Sequence, residues 1–380
     1  MANSLRIALV TSSYNYIADG VALTLNRLVG YLERQGVEVL VFTPTAEKPA
    51  FPHNGTIAPV PSMPLPGRPE YRLVLRMPAS VKRQLLDFKP DIIHIAVPDL
   101  LGHAALALAE AHNIPAVATY HTRYETYLRH YWYLAPFEGL LTKILRRFYG
   151  VCREVYVPSD STRDVLLADG LKDNFKPWPR GIETDRFNPA KRSAAWRAQL
   201  GIGEGELVVL HVSRLVREKR LDTLTAALKQ VTVPHRVVIV GDGPDRGFVQ
   251  AELPHAIFTG FLGGDALTAA YASSDIFFFP SDSESFGNVT LEAMASGLPC
   301  VCADATGSRS LVVDGQTGFL APPNDAARFA RHITALVQDA SLRTAMGQAA
   351  RARALTFSWD ETLARMLGYY RALLPGTASP

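Results

Sequence analysis

Cysteine is scarce in this chain, with three in 380 residues. Cys300 and Cys302 alternate, which on a strand turns both to one face, and Cys152 stands alone. That excludes a disulfide framework and a Cys-x-x-Cys zinc or redox site; reduced thiols in a cytosolic protein are expected. An excess of one charge is also missing. The 39 Lys and Arg against 36 Asp and Glu leave +3, too little to argue for nucleic acid. No apolar run approaches the roughly 18 residues of a membrane helix. The first apolar stretch carries Arg6 within Leu5-Arg6-Ile7-Ala8, which suits a strand better than a signal peptide. A cytoplasmic protein, peripheral on the inner face of the cell membrane, is expected. No Asp-x-Asp motif precedes a strand end in the first half, and Asp282 and Glu284 lie on different faces of one loop, so no metal and no cofactor are expected.

What is present is 48% hydrophobic and 20% charged, an ordinary core-forming composition. The length exceeds the roughly 250–300 residues at which one core stops growing, so two domains are expected. Apolar runs at 6–10, 37–43, 91–96, 116–120 and 154–158 alternate with helical patterns such as 22–35 and 101–112. This predicts an α/β unit with a parallel sheet. A second set of runs at 207–212, 236–241, 256–259, 275–280 and 299–303 restarts the pattern. Between them the prolines of 176–189 resist regular structure and mark a link. The boundaries expected are 1–180, 181–358, and a terminal helix and tail over 359–380.

The run 275–280 leads into Ser281-Asp282-Ser283-Glu284-Ser285-Phe286-Gly287-Asn288 and then a helical stretch through Glu292. A helix opening at Phe286, Gly287 and Asn288 points backbone N–H groups and a positive dipole end at an anion. Glu284 before it and Glu292 two turns on supply acceptors for hydroxyl groups beside that cradle. Arg214 and Lys219 follow the strand 207–212; the plain alternative for them is a solvated basic turn. Hydroxyls, a diphosphate and a ribose in one ligand describe a nucleotide sugar. Open parallel sheets bind ligands at the carboxyl ends of their strands, and further candidates sit there. Gly20 precedes a helix after the first strand; its alternative is a plain turn glycine. Gly241 and Gly243 form a Gly-Asp-Gly-Pro turn, short of a full dinucleotide fingerprint, and Gly260 and Phe261 follow the next strand. His121 follows the strand at 116–120, whereas His94 and His103 read as structural.

Glu284 and Glu292, read with His211-Val212-Ser213-Arg214-Leu215-Val216-Arg217-Glu218-Lys219, resemble the C-terminal half of the family-4 retaining glycosyltransferases. The link, Trp178-Pro179-Arg180-Gly181-Ile182 through Phe187-Asn188-Pro189, resembles that family's connecting segment. The resemblance implies the GT-B fold: two Rossmann-like parallel-sheet domains, an interdomain cleft, and a C-terminal helix crossing back. It implies Arg214 and Lys219 on the diphosphate, Glu284 on the sugar hydroxyls, Glu292 on the ribose and His121 beside the transferred sugar. The turns at 241–244 and 259–262 would line the nucleobase pocket. Family members often carry two adjacent glycines where this chain has Asp19-Gly20, which leaves that loop's conformation open.

Pro90-Asp91-Ile92-Ile93-His94, Tyr120-His121-Thr122 and the link further resemble the branch that adds mannose or sulfoquinovose to diacylglycerol-type glycolipids. GDP-mannose is slightly favoured as donor over UDP-sugars. Residues 120–150 interleave aromatics with Arg, Lys and His, as an anionic membrane surface requires, or as two core helices with basic outer faces would show. The proline-rich stretch 61–69 reads as a lid or a long connection. The same chemistry on a lipid-linked oligosaccharide stays open, and a nucleotide-sugar epimerase or a sugar-binding protein are lesser alternatives.

Overall fold

A computed structural model of the chain describes residues 4–17, 19–65, 68–120, 138–284 and 286–374. Short β-rich apolar runs become strands because both of their faces are buried: Ile92–Ile95, Val208–Val212, Ile276–Phe279 and Cys300–Ala303 are covered throughout. The chain divides into two compact units, 1–178 with 363–380, and 179–362. The expected boundaries therefore shift by two residues at the link and by four at the return.

In the first unit the strands are β1 (Arg6–Val10), β2 (Glu38–Thr43), β3 (Thr56–Pro59), β4 (Met63–Leu65), β5 (Arg68–Leu73), β6 (Ile92–Ile95), β7 (Ala116–Thr119), β8 (Glu154–Val157) and β9 (Phe175–Pro177). Seven of them form a parallel sheet in the order β3-β2-β1-β6-β7-β8-β9. One expectation needs correction here. The prolines of 176–189 predict a link starting at 176, but 175–177 pair with β8 as an edge strand, a position where a proline costs no ladder bond. The stretch 61–69 supplies β4 and the first residues of β5, which pair antiparallel with Pro64 opposite Arg72. The C-terminal helix Trp359–Ala372 supplies Tyr370, whose hydroxyl meets His94 Nδ1 at 2.7 Å. Tyr369 stacks on Tyr156 at 5.7 Å and donates to the carbonyl of Pro177 at 3.1 Å. His94 Nε2 lies 2.5 Å from the Thr119 hydroxyl, and full burial pulls its pKa down to about 3.

The second unit contains β10 (Val208–Val212), β11 (Arg236–Val240), β12 (Ile257–Gly260), β13 (Ile276–Phe279), β14 (Cys300–Ala303) and β15 (Gly318–Ala321), all parallel, in the order β12-β11-β10-β13-β14-β15. Alternate residues feed two cores, one on each face. Leu210, Phe277, Phe279, Cys300 and Cys302 enter one, and Val209, Ile276, Phe278 and Val301 the other. The order reverses between β10 and β13, so the loops leaving these strands open a crevice at the position where doubly wound sheets take ligands.

Candidate active site

The loop after β10 is held before any ligand arrives. His211, fully buried, sets Nδ1 3.0 Å from the Phe278 carbonyl and Nε2 2.8 Å from the Ser213 hydroxyl. Burial drives its pKa down to about 4, so the ring is neutral at physiological pH. The turn after β11 presses against the same loop. A Cβ on Gly241, whose φ is +128°, would fall 1.8 Å from the Ser213 carbonyl oxygen, and one on Gly243 would fall 2.3 Å from that of Leu215. Only a residue without a side chain fits at either position. The backbone of Leu215 then donates to Asp242 at 2.9 Å and accepts from Asp245 at 3.0 Å.

The loop continues into the short turn Arg217–Lys219, and Arg220 follows in the left-handed region at φ 56°. Two ion pairs join this turn to the loop after β13. Lys219 Nζ pairs with Glu284 Oε1, and Arg220 grips Asp282 with two prongs at 3.0 and 2.6 Å. The Ser283 hydroxyl donates to the Glu218 carbonyl at 3.2 Å. Arg214 reaches Glu218 at 2.9 Å and is 70% exposed at its side chain, so it projects outward from the loop. A fourth element braces the far side: a Cβ on Gly307, in the helix Thr306–Leu311, would lie 2.7 Å from Glu284 Cβ.

The helix Asn288–Ala295 starts from Gly287 at φ 93° and has no side-chain cap. Its first amides are therefore left for another acceptor. A cavity of about 260 Å³ sits in front of them, lined by Arg180, Val212, Ser213, Arg214, Lys219, Phe279, Glu284, Phe286, Gly287, Asn288 and Val289. Three cations, one carboxylate and a helix N-terminus make this an anion site with one acceptor at its edge.

Of the expected site residues, Arg214, Lys219, Glu284, Phe286, Gly287 and Asn288 meet at this cavity. Glu292 does not line it: its carboxyl accepts from Tyr271 Oη at 2.9 Å, and burial raises its pKa to about 7. Gly241 and Gly243 do not line it either; they pack behind the arginine loop, because its carbonyls leave no room for a side chain. Gly260 (φ 72°) closes β12, and the 83%-exposed Phe261 follows it. Gly20 lies in the first unit as the opening residue of the helix Gly20–Arg34. The Asp19 side chain caps that helix through Ala22 N at 2.8 Å and also accepts from Ser13 Oγ at 2.9 Å, which gives the departure from the double glycine a structural reason. His121 lies outside the described residues. Among the described residues no cluster of His, Cys, Asp and Glu could hold a metal ion. Arg180, the Arg220–Asp282 pair, His211 and Gly307 were not singled out by sequence reasoning. Arg180 and His211 stand inside quoted motifs, Arg220 adjoins Lys219, and Gly307 carries no local signal.

Two Rossmann-like parallel-sheet units, the second carrying this anion site at its switch point, have the GT-B architecture of glycosyltransferases. The family models agree. "Glycosyltransferase Family 4" matches residues 18–186 and "Glycosyl transferases group 1" matches 192–353. The chain belongs to this glycosyltransferase family. Its relatives include sulfoquinovosyl transferase SQD2 of Arabidopsis thaliana, 33% identical over 93% of this chain and 71% of that protein. Another is the GDP-mannose-dependent alpha-mannosyltransferase of Mycobacterium tuberculosis, 32% identical over 97% of each chain. Among solved structures, sucrose-phosphate synthase from Thermosynechococcus elongatus superposes with a TM-score of 0.79 at 23% identity, covering 97% of this chain and 99% of that one; this shows the fold alone.

Proposed function

We propose that this enzyme moves a hexose, with retention and without a metal ion, from a nucleotide sugar to a membrane glycolipid or diacylglycerol-type acceptor. GDP-mannose is favoured slightly over a UDP-sugar as donor. The observation that carries the reading is the cavity where Arg214, Lys219 and the open end of Asn288–Ala295 converge beside Glu284. As the bond between the anomeric carbon and the β-phosphate oxygen breaks, negative charge grows on that oxygen. Fixed cations and amides then stabilise the transition state more than the bound donor. The acceptor oxygen attacks the same face that the phosphate leaves, and its proton passes to a departing phosphate oxygen. Glu284, steadied by Lys219, accepts from the sugar hydroxyls. Glu292 is assigned to the ribose, one oxygen to Tyr271 and the other to the ligand; His121 is assigned to the transferred sugar, Gly20 to phosphate approach, and Gly260 and Phe261 to the base.

A lipid acceptor is supported by the helix Glu138–Val151, on which Leu140, Ile144 and Val151 are exposed beside exposed Lys143, Arg146 and Arg147. An apolar strip flanked by cations suits a bilayer carrying anionic lipid. The mannosyl and sulfoquinovosyl relatives named above fit this reading. The test is product analysis by mass spectrometry, with purified protein, a panel of GDP- and UDP-sugars and a membrane-lipid extract. A hexose added to a lipid from one donor supports it. Donor turnover onto lipid-linked oligosaccharide only would move the acceptor to polysaccharide assembly.

A further inference from the structure

The charges around the cavity do not balance on Arg214 and Lys219 alone. Lys219 is already paired with Glu284, and Arg214 with Glu218. With those two carboxylates counted, Arg214 and Lys219 carry no net charge between them, whereas a diphosphate diester brings two negative ones. Arg180 is a third cation lining the same cavity. Its backbone is fixed independently of any ligand. A Cβ on the next residue, Gly181, would fall 2.5 Å from the Trp359 ring, so the chain lies directly against that indole. Ile182 N then donates to the Phe357 carbonyl at 2.8 Å, and Ile182 pairs with Ser358 as an isolated parallel bridge. Arg180 is thus presented from a clamped stretch of backbone, and its own side chain is only partly covered. A cation held in that way gives up less conformational freedom on binding than one on a loose loop.

From these observations we infer that Arg180, two residues after the link leaves the first unit, is a third cation of the diphosphate site. Its guanidinium contacts the β-phosphate, which leaves with the nucleoside as part of the diphosphate. This rests on the reading of the cavity as the donor diphosphate site. It predicts that Arg180 discriminates by phosphate count rather than by base.

The experiment is calorimetric titration of the purified full chain with GDP and UDP, with the matching monophosphates and nucleosides alongside. Arg180→Gln should weaken binding of the preferred nucleoside diphosphate about tenfold or more, the scale of one charge-assisted hydrogen bond. Nucleoside binding should be unchanged, and the gap between diphosphate and monophosphate should narrow. Arg180→Met, which keeps the aliphatic stem, should do the same and replaces the first variant if that one fails to fold. Wild-type diphosphate affinity in a folded variant overturns the role of Arg180 and leaves the cavity assignment standing. Wild-type protein that binds neither diphosphate overturns the cavity assignment and this inference with it.

Discussion

Each unit carries a buried group whose protonation opposes its surroundings, and the two act in opposite directions on stability. In the first unit His94 is held down to about 3 by complete burial between Thr119 and Tyr370. Unfolded, the same side chain takes up a proton near its ordinary value of about 6.5. Below that value the unfolded chain therefore binds more protons, and stability falls with acid. Between pH 8 and pH 5 this amounts to about 1.5 pH units of linkage, or about 2 kcal/mol at about 1.36 kcal/mol per unit. In the second unit Glu292 is raised to about 7 by burial next to Tyr271. Here the folded state binds the extra proton, so its stability is greatest below the unfolded carboxyl value and is lost as pH rises through about 7. The same window gives about 2.5 kcal/mol of opposite sign. Comparing variants with wild type isolates each group, because all other titrations cancel. His94→Asn should remove about 2 kcal/mol of the first unit's loss on acidification. Glu292→Gln should deepen the second unit's loss by about 2.5 kcal/mol. Urea denaturation at pH 8 and pH 5, with hydrogen-exchange mass spectrometry to separate the units, reads both changes. If His94→Asn shows the wild-type pH dependence, the ring is not held neutral by burial and the account of the helix anchor fails.

Arg214→Ala or Lys219→Ala should lower kcat roughly a hundredfold or more, the scale of losing one donor to developing charge; steady-state kinetics with wild-type turnover in either would remove the phosphate assignment. Gly241→Ala forces a Cβ to within 1.8 Å of the Ser213 carbonyl oxygen at a φ that disfavours L-residues. It should cost about 1–3 kcal/mol or more and reduce turnover through the displaced Arg214 loop, and an unchanged melting temperature would contradict that packing. Leu140→Ser combined with Ile144→Ser should weaken sedimentation with anionic vesicles several-fold, while leaving nucleoside diphosphate binding intact; equal sedimentation would take this helix out of the membrane reading.

Sequence patterning reached the fold where local signals and burial coincide. The doubly covered strands β1, β10, β13 and β14 were visible as apolar runs, because burial on both faces permits no polar alternation. Edge elements were not: 175–177 and the hairpin of β4 with β5 carry prolines and charges, which at an edge are tolerated and in sequence look like loop. The same division runs through the site. Arg214, Lys219, Glu284 and the opening of Asn288–Ala295 were legible because their chemistry is local to two loops. What escaped depends on contacts between loops far apart in sequence. The missing side chain of Gly241 makes room for the Ser213 carbonyl, a constraint set by a loop some 28 residues earlier in sequence. Glu292 looked like a free acceptor, yet Tyr271, from another helix, takes part of its capacity and shares its proton economy. Asp282, set aside as a poor metal ligand, holds Arg220 and with it the turn that carries Lys219. A glycine or carboxylate at a strand end therefore identifies the right loop. Whether it faces the ligand or the neighbouring loop is decided by the sheet order, which places 213–220 between the turn after β11 and the loop after β13. Arg180 follows the same logic: it comes from the link, far from the catalytic strands in sequence, and reaches the cavity only because Gly181 and Ile182 dock on the segment 357–359.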